Sequence, residues 1–448
     1  MIKTALIVPK GSKYGKNPYL KIFLERNDIV SKFYGAWETP NLSLLTIAGL
    51  FPDSFDLRFI DEDHGQAIPW NEGFDLVVVT GMTQQINRAY AICDAFRTKG
   101  VYTVLGGIHA SIYPDEAAKH ADTVTLGEGE IAFARFLSDF CKGKPQKRYR
   151  ADEYVDLDTS PVPRYDLTVP ELYASYSIQT TRGCPRTCAY CTLPVIYGSV
   201  YRHKSVEQVV REIRAIKAVS PNAFIFFADD NMFIHKEHSL KLLQAIAGEN
   251  ITWGTQTDIS VAEQPDILKM LRPAGCRWLF IGLENVNRRS LELLDEKQWK
   301  ARLCENYPAL IDAIHRAGVY IWGSFMFGTD NDTTAVFEDT LRFTLDNGLY
   351  SGSFTILTPL PGTALFEQMK AAGRLTDMDW SRYTFWDVVY RPKNMTGDEL
   401  ARGVAWMYGQ FYSEENSRLR LRKIRESLQK NHIERKMHED RIDIAQRG

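Results

Sequence analysis

Arg182-Gly183-Cys184-Pro185-Arg186-Thr187-Cys188-Ala189-Tyr190-Cys191 is the stretch on which the reading of this chain turns. Its three cysteines stand at C-x3-C-x2-C spacing, directly after an apolar run with strand character. Three thiolates hold three irons of a cubane iron–sulfur cluster and leave the fourth iron without a protein ligand. An open iron binds and reduces something, so such a cluster is chemical rather than structural. Gly183 and Pro185 shape a tight loop on which the thiolates converge, and Tyr190 puts an aromatic ring before the last cysteine. The competing reading is zinc. Structural zinc wants four ligands, usually as paired C-x2-C units, and no second pair exists here, although a distant histidine could complete a Cys3His set.

Downstream of this loop, strand and helix patterns alternate. Ser177–Thr181 reads as the strand that feeds the loop. Ser205-Val206-Glu207-Gln208 reads as a capping box that starts a helix running to Val219. Strands follow at Phe224–Phe227, Thr252–Thr257, Trp278–Gly282, Val319–Phe327 and Ser353–Leu357, with helices at His238–Ala247, Pro265–Leu271, Ala309–Ala317 and Thr333–Asn347 between them. Six strand–helix repeats are the pattern of a partial (β/α)6 barrel, in which chemistry sits at the carboxyl ends of the strands. The cysteine loop lies at such an end. So do Asp229-Asp230-Asn231, Gln256, Glu284 and the Thr358–Thr363 loop.

Upstream, the alternation continues in a different register. Ile2–Val8, Phe55–Asp61, Asp75–Thr80, Val101–Leu105 and Thr123–Leu126 read as strands. Helices are expected over Ile86–Lys99 and, opened by Gly127-Glu128-Gly129-Glu130, over Ile131–Phe140. This is a doubly wound, Rossmann-like parallel sheet, in which ligands bind outside the carboxyl ends of the strands. The loops Thr80–Thr83, Gly106–His109 and Gly127–Gly129 all lie there. No G-x-G-x-x-G opens the first helix, which argues against a dinucleotide. Lys142–Arg150 is basic, and Asp152–Pro163 is acidic and holds two prolines, so the stretch between the halves reads as a linker. The expected divisions are 1–143, a linker at 144–172, a barrel at 173–364 and a C-terminal aromatic and helical region at 365–448. That last region carries the aromatics Trp380, Tyr383, Phe385 and Trp386, a helix at Glu399–Phe411, and the basic amphipathic stretch Ser417–Lys436.

Bulk properties narrow the setting. The chain has 448 residues, 44% hydrophobic and 25% charged, with a net charge of -2. That is an ordinary globular composition with no global pull toward nucleic acid. Nothing at the N-terminus resembles a signal peptide, and no apolar run is long enough to span a bilayer. Seven cysteines, three of them clustered, suit a reducing compartment rather than a disulfide framework. A cytoplasmic location is therefore expected. Cys93, Cys141, Cys276 and Cys304 read as buried small hydrophobes.

C-x3-C-x-aromatic-C on the first strand of a partial barrel resembles the radical S-adenosylmethionine (radical SAM) enzymes. The resemblance implies a 4Fe-4S cluster on Cys184, Cys188 and Cys191. Its open iron chelates S-adenosylmethionine, and reduction yields a 5′-deoxyadenosyl radical that takes hydrogen from an unactivated carbon. It also implies a low-potential electron donor such as ferredoxin or flavodoxin. By position, Tyr190, Asp229, Asp230 and Asn231 stand near the methionine end, although the family's Gly-Gly-Glu glycines are missing. Gln256 and Glu284 are candidates for ribose hydroxyls, and Gly323 runs beside the adenine.

Thr83-Gln84-Gln85-Ile86-Asn87-Arg88-Ala89-Tyr90, Gly106-Gly107-Ile108-His109 and Gly127-Glu128-Gly129-Glu130 resemble the cobalamin-binding domain found in front of many radical SAM barrels. Thr80, Thr83, Gly106, Gly107, Gly127 and Glu128 are the implied cobalamin contacts. The D-x-H-x-x-G motif that supplies a lower axial histidine is absent. Asp61-Glu62-Asp63-His64-Gly65 has the wrong spacing, and His64 and His109 read as loop histidines.

Three functions fit. One is methylation of an unreactive carbon by joint use of cobalamin and the radical. The second is a radical reaction without methylation, such as ring formation, rearrangement or joining of lipid carbons. The third is a cluster- or cobalamin-binding regulator without turnover. No substrate-side catalytic residue is legible. The Trp380–Trp386 aromatics read either as the lining of an apolar site or as a plug that closes the barrel. The basic stretch reads as a solvated helix packed on the barrel, with contact to an anionic membrane surface as its alternative.

Overall fold

A computed structural model describes residues 1–12, 15–25, 38–151 and 153–429. Residues 13–14, Asp152 and the 430–436 end of the basic stretch lie outside the described residues. The rest forms two compact units that interleave along the chain. The first takes in the described parts of 1–21 and 34–230 together with Thr358–Arg391. The second takes in the described part of 22–33, Asn231–Leu357 and the described residues from Pro392 on.

The first unit is built on a parallel six-stranded sheet, β1 (Ile2–Val8), β2 (Phe55–Asp61), β3 (Leu76–Thr80), β4 (Tyr102–Gly106), β5 (Thr123–Leu126) and β6 (Arg148–Arg150), in the order β2-β1-β3-β4-β5-β6. The central strands carry Leu76-Val77-Val78-Val79 and Ala5-Leu6-Ile7, at most 2% exposed on both faces, as parallel strands covered on two sides require. The helix Ile86–Arg97 buries Ala89, Ile92, Cys93 and Phe96 against the sheet, the spacing of one helical face. β6 pairs with β5, so the stretch expected as a linker begins by extending the sheet.

Strands β7 (Ser175–Ile178) and β10 (Phe224–Phe227), paired in parallel, also belong to this unit. Between them, β8 (Thr181–Arg182) and β9 (Arg202–His203) pair antiparallel. The helix Val206–Val219 follows, with the Ser205 hydroxyl accepting from the Gln208 amide. The capping box is only half made. The Gln208 side chain donates to the Ser160 carbonyl and to Glu212.

The second unit holds four parallel strands, β11 (Thr252–Thr257), β12 (Cys276–Glu284), β13 (Tyr320–Phe327) and β14 (Ser351–Ile356), paired in chain order. In its core Phe325 stacks on Phe354, which meets Tyr408 edge to face. The helix Gly397–Phe411 starts with a true capping box between Thr396 and Glu399. Residues 414–429 are helical. Arg420 and Ile424 are buried while Arg418, Arg422 and Lys423 stay exposed, so this helix packs by one face. Among the described residues, no helix is long and apolar enough to cross a membrane. Of the four scattered cysteines, Cys93 and Cys276 are buried as expected, but Cys141 is exposed and Cys304 half-buried.

The aromatic segment is placed differently from either expectation. Trp380 and Tyr383 sit in the core of the first unit with Ala5, Val77, Val79 and Phe96. The Trp380 indole donates to Glu116 (3.2 Å) and lies against the His109 and Tyr113 rings. They complete the N-terminal domain, while Phe385 and Trp386 remain half-buried.

Candidate active site

The cysteine loop, residues 183–201, leaves through β8 and returns through β9. Gly183 has φ +86°, and a Cβ there would stand 2.2 Å from the Val200 carbonyl oxygen. Only glycine lets the two ends of the loop pass this closely. Gly198, with φ +70°, is pressed the same way against the Tyr154 hydroxyl. Cys184, Cys188 and Cys191 are half-buried, and the Cys191 amide donates to the Cys188 carbonyl (3.1 Å). Burial, with the neighbouring thiols and Asp230 adding to it, pushes the Cys191 thiol up to about 12. Among the described residues no group of three His, Cys, Asp or Glu side chains closes on one point as a mononuclear site does. A cubane asks less, because each thiolate takes its own iron, and three thiols on one loop fit that demand. Leu365 of the returning segment donates to the Ala189 carbonyl (2.9 Å), so the Thr358–Thr363 turn reaches the loop as its sequence position suggested.

The three residues after β10 do different work. Asp229 is fully buried, and its carboxylate accepts from the Thr180 amide (2.6 Å), the Thr181 amide (2.8 Å) and the Thr180 hydroxyl. It holds the backbone that launches the cysteine loop. Burial still pushes it up to about 6, against those bonds. Asp230 accepts from the Gly183 amide (3.3 Å), and burial followed by the Asp229 charge pushes it up to about 7. Asn231 belongs to the second unit, where it donates to Asp258 (2.7 Å) and accepts from the Thr257 hydroxyl (2.9 Å).

In the second unit, Gln256 is half-buried in β11. Glu284 ends β12 with φ +65°, an unusual state for a residue with a side chain. Its carboxylate folds back over Gly282 to the buried ammonium of Lys300. Lys300 is a partner the sequence reading missed. A Cβ on Gly323 would meet the Leu349 side chain at 2.8 Å and the Phe325 ring at 3.1 Å. The smallness of Gly323 therefore serves protein packing.

The first unit has an open cleft at the carboxyl ends of β3, β4 and β5. Thr80, Gly106, Gly107, Gly127 and Glu128 all line it. Gly107, at φ +101°, has no room for a Cβ between the Gly81 carbonyl and the Thr80 hydroxyl, while Gly127 faces open space. Thr46, Thr125 and Ser111 add hydroxyls, and Val79, Ile47 and Phe133 give an apolar back. Ser111, unforeseen, accepts from the Gly127 amide and donates to the Gly107 carbonyl, both at 2.9 Å. An open glycine floor, a hydroxyl rim and an apolar back fit a bulky cofactor with polar edges.

Two expected contacts are bonded within the protein, and of these Glu128 also lines the cavity while Thr83 does not. Thr83 is buried beside the His109 ring, 3.4 Å from its Nδ1. The Glu128 carboxylate is taken by Arg202 (2.8 and 2.9 Å), Arg182 (3.3 Å) and the Val155 amide (2.8 Å). His64 bonds Asp61 (2.9 Å), and the buried His109 stands 3.6 Å from Glu116.

Residues 178–344 match the radical SAM superfamily and residues 29–137 match the B12 binding domain. The chain is 29% identical over 386 residues to the bacteriochlorophyllide d C-12(1)-methyltransferase of Chlorobaculum tepidum, covering 84% of this chain and 83% of that one. It is 26% identical over 352 residues to the hopanoid C-2 methylase of Rhodopseudomonas palustris, covering 76% and 66%. Among solved structures, the radical SAM methyltransferase TsrM of Kitasatospora setae, with cobalamin and a 4Fe-4S cluster bound, superposes with a TM-score of 0.63 at 16% identity. That superposition covers 83% of this chain and 75% of that one, and the likeness is one of fold.

Proposed function

The chain belongs to the radical SAM superfamily and carries a B12 binding domain in front of its barrel, and on that premise we propose that it is a cobalamin-dependent C-methyltransferase acting on an apolar, multi-ring molecule. One observation carries the reading. Ile196 and Tyr197, five and six residues past Cys191, line the same cavity as Thr80 and Gly107. The cluster loop and the cofactor cavity thus share a wall, which suits a reaction that joins a substrate carbon to a carried methyl group.

When bound, the 4Fe-4S cluster supplies the electron that opens S-adenosylmethionine, and cobalamin supplies the methyl carrier. Cys184, Cys188 and Cys191 hold the cluster. Asp229 and Asp230 fix the backbone from Thr180 to Gly183 through their amide bonds. Thr80, Gly106, Gly107 and Gly127 line the cobalamin cavity. We keep Tyr190, Asp230, Asn231, Gln256 and Glu284 as the S-adenosylmethionine contacts, each within its own unit. Glu128 lines the same cavity as Thr80 and is kept with the cobalamin contacts, while Asp229, Thr83 and Gly323 are assigned instead to the protein's internal bonding and packing. The functional divisions remain 1–143, 144–172, 173–364 and 365–448, with Thr358–Arg391 folding back as part of the first unit.

The relatives' names specify a bacteriochlorophyllide and a hopanoid, both multi-ring skeletons. Val195 and Val200, on the loop after Cys191, are 48% and 51% exposed, an apolar rim in keeping with such a substrate. The setting we assign is cytoplasmic, with a ferredoxin or flavodoxin as donor and no nucleic-acid partner.

The overall balance is one substrate C–H, two S-adenosylmethionine and two electrons. These give one methylated product, one S-adenosylhomocysteine, one 5′-deoxyadenosine and one methionine. The test is anaerobic reconstitution, metal and cobalamin analysis, then incubation with methyl-labelled S-adenosylmethionine, reductant and ring-system substrates. Label in the product, with both nucleosides formed, supports the reading. Deoxyadenosine and altered substrate without homocysteine or label would replace it with a non-methylating radical reaction.

A further inference from the structure

The neck of the cysteine loop presents an electrostatic problem. β8 and β9 pair with Arg182 directly opposite Arg202, and like charges in that position repel. Neither can relieve the repulsion in water, because their side chains are only 10% and 14% exposed. The counter-charge comes from the loop that follows β5. Glu128 accepts from both guanidinium groups of the neck. Glu130 accepts from Arg182 at 2.6 and 3.2 Å and from the Ser160 hydroxyl at 2.9 Å. These carboxylates are 4% and 9% exposed. Further bonds run from Arg182 to Gln179 (2.8 Å) and from the terminal nitrogens of Arg202 to the carbonyls of Val155 (3.0 Å) and Tyr197 (3.3 Å), while the buried Arg202 Nε has no partner among the described residues. The Tyr197 ring lies 5.5 Å from the Arg182 guanidinium, and the Tyr154 ring 4.6 Å from that of Arg202.

We propose that Glu128 and Glu130 are positioning residues for the iron–sulfur cluster, whose carboxylates close the neck of the cysteine loop. Resting on the reading that Cys184, Cys188 and Cys191 carry a cluster, this makes assembly of the cluster depend on a loop of the cobalamin-binding sheet. A buried ion pair that loses one partner leaves an uncompensated charge. Residues that orient metal ligands from behind typically change metal affinity about 10- to 100-fold when removed. Removing either carboxylate therefore opens the neck and loosens all three thiolates together; both carboxylates also line the cavity beside Thr80 and Gly107.

The experiment uses the full chain, reconstituted anaerobically, with Glu128→Gln, Glu130→Gln and the charge exchange Glu128→Arg/Arg202→Glu. The readouts are iron and sulfide per chain, the rate of iron loss to a chelator, the electron paramagnetic resonance spectrum of the reduced cluster, and cobalamin uptake by absorbance. The single substitutions are expected to speed iron loss about ten-fold or more and broaden the spectrum, whatever their effect on cobalamin uptake. The exchange variant is expected to recover slow iron loss. If the glutamine variants fail to fold, the exchange variant alone decides: recovery supports the proposal and persistent loss overturns it. Unchanged iron retention and spectrum in both glutamine variants would overturn it as well. So would lost cobalamin with intact iron, which would leave Glu128 to the cofactor alone. A wild-type chain that takes up no iron refutes the cluster reading itself.

Discussion

A single methyl group at position 183 is enough to test the cysteine loop. Gly183→Ala would need φ near +86° and would drive its Cβ into the Val200 carbonyl. Backbone strain of this kind costs about 1–3 kcal/mol before the clash is counted. The neck should part, so iron per chain after reconstitution should fall several-fold while cobalamin uptake persists. Normal iron in the alanine variant would show that the loop closes in some other way. At this scale the sequence was most informative where chemistry demands fixed spacing: the three thiols and Gly183 can be read directly from their order. It was least informative where a side chain is claimed by a partner far along the chain. Glu284 looks like a free strand-end carboxylate until Lys300 appears beside it, sixteen positions later. Asp229 looks like a ligand until the Thr180 and Thr181 amides take it.

Elements carry consequences that single contacts do not. The helix Tyr307–Arg316 buries His315 in its last turn, 4% exposed. Burial holds the ring down to about 4, with Asp312 only partly opposing. The unfolded chain takes up the proton near the ordinary value of about 6.5. Stability from a neutral buried His315 is therefore complete above about pH 6.5 and is lost as pH falls toward about 4, on the order of 3 kcal/mol in all. His315→Leu should show a shallower fall in melting temperature across that window, and equal slopes in the two proteins would refute the assignment. The aromatic segment makes a second point. Trp380 fills the first unit's core, so Trp380→Ala should cost about 3–5 kcal/mol. Trp380→Phe should cost less, losing chiefly the bond to Glu116. Thermal melting and cobalamin titration check both, and a cobalamin affinity that fell with no loss of stability would instead make Trp380 a ligand contact. Strand and helix positions were legible because apolar periodicity is local. The address of an aromatic cluster is not local, and Trp380 meets Glu116 across 264 positions.

The molecule as a whole is less serial than its sequence suggests. Read in order, the chain divides into a cobalamin-binding part, a barrel and a tail. By contacts, the cysteine loop and Thr358–Arg391 join the N-terminal sheet in one compact unit. The order of repeats could be read from the sequence, but this return of the chain could not, because it is fixed by packing between segments hundreds of positions apart. It has a direct consequence for fragments. Phe366, Trp380, Tyr383 and Val389 share a core with Ala5, Ile7, Val77 and Val79, all at most 8% exposed. Exposing a fully buried side chain of this size costs about 1.5–3 kcal/mol, and a domain's whole stability is about 5–15 kcal/mol. A fragment of residues 1–172 should therefore lack a cooperative melt and bind no cobalamin, although it spans the entire match to the B12 binding domain. Joining residues 358–391 to it by a flexible linker should restore the near-ultraviolet circular dichroism of packed aromatics and a measurable melting transition. If the short fragment instead melts cooperatively at the temperature of the joined one, the returning segment is an ornament on a self-sufficient domain and the interleaved division is wrong.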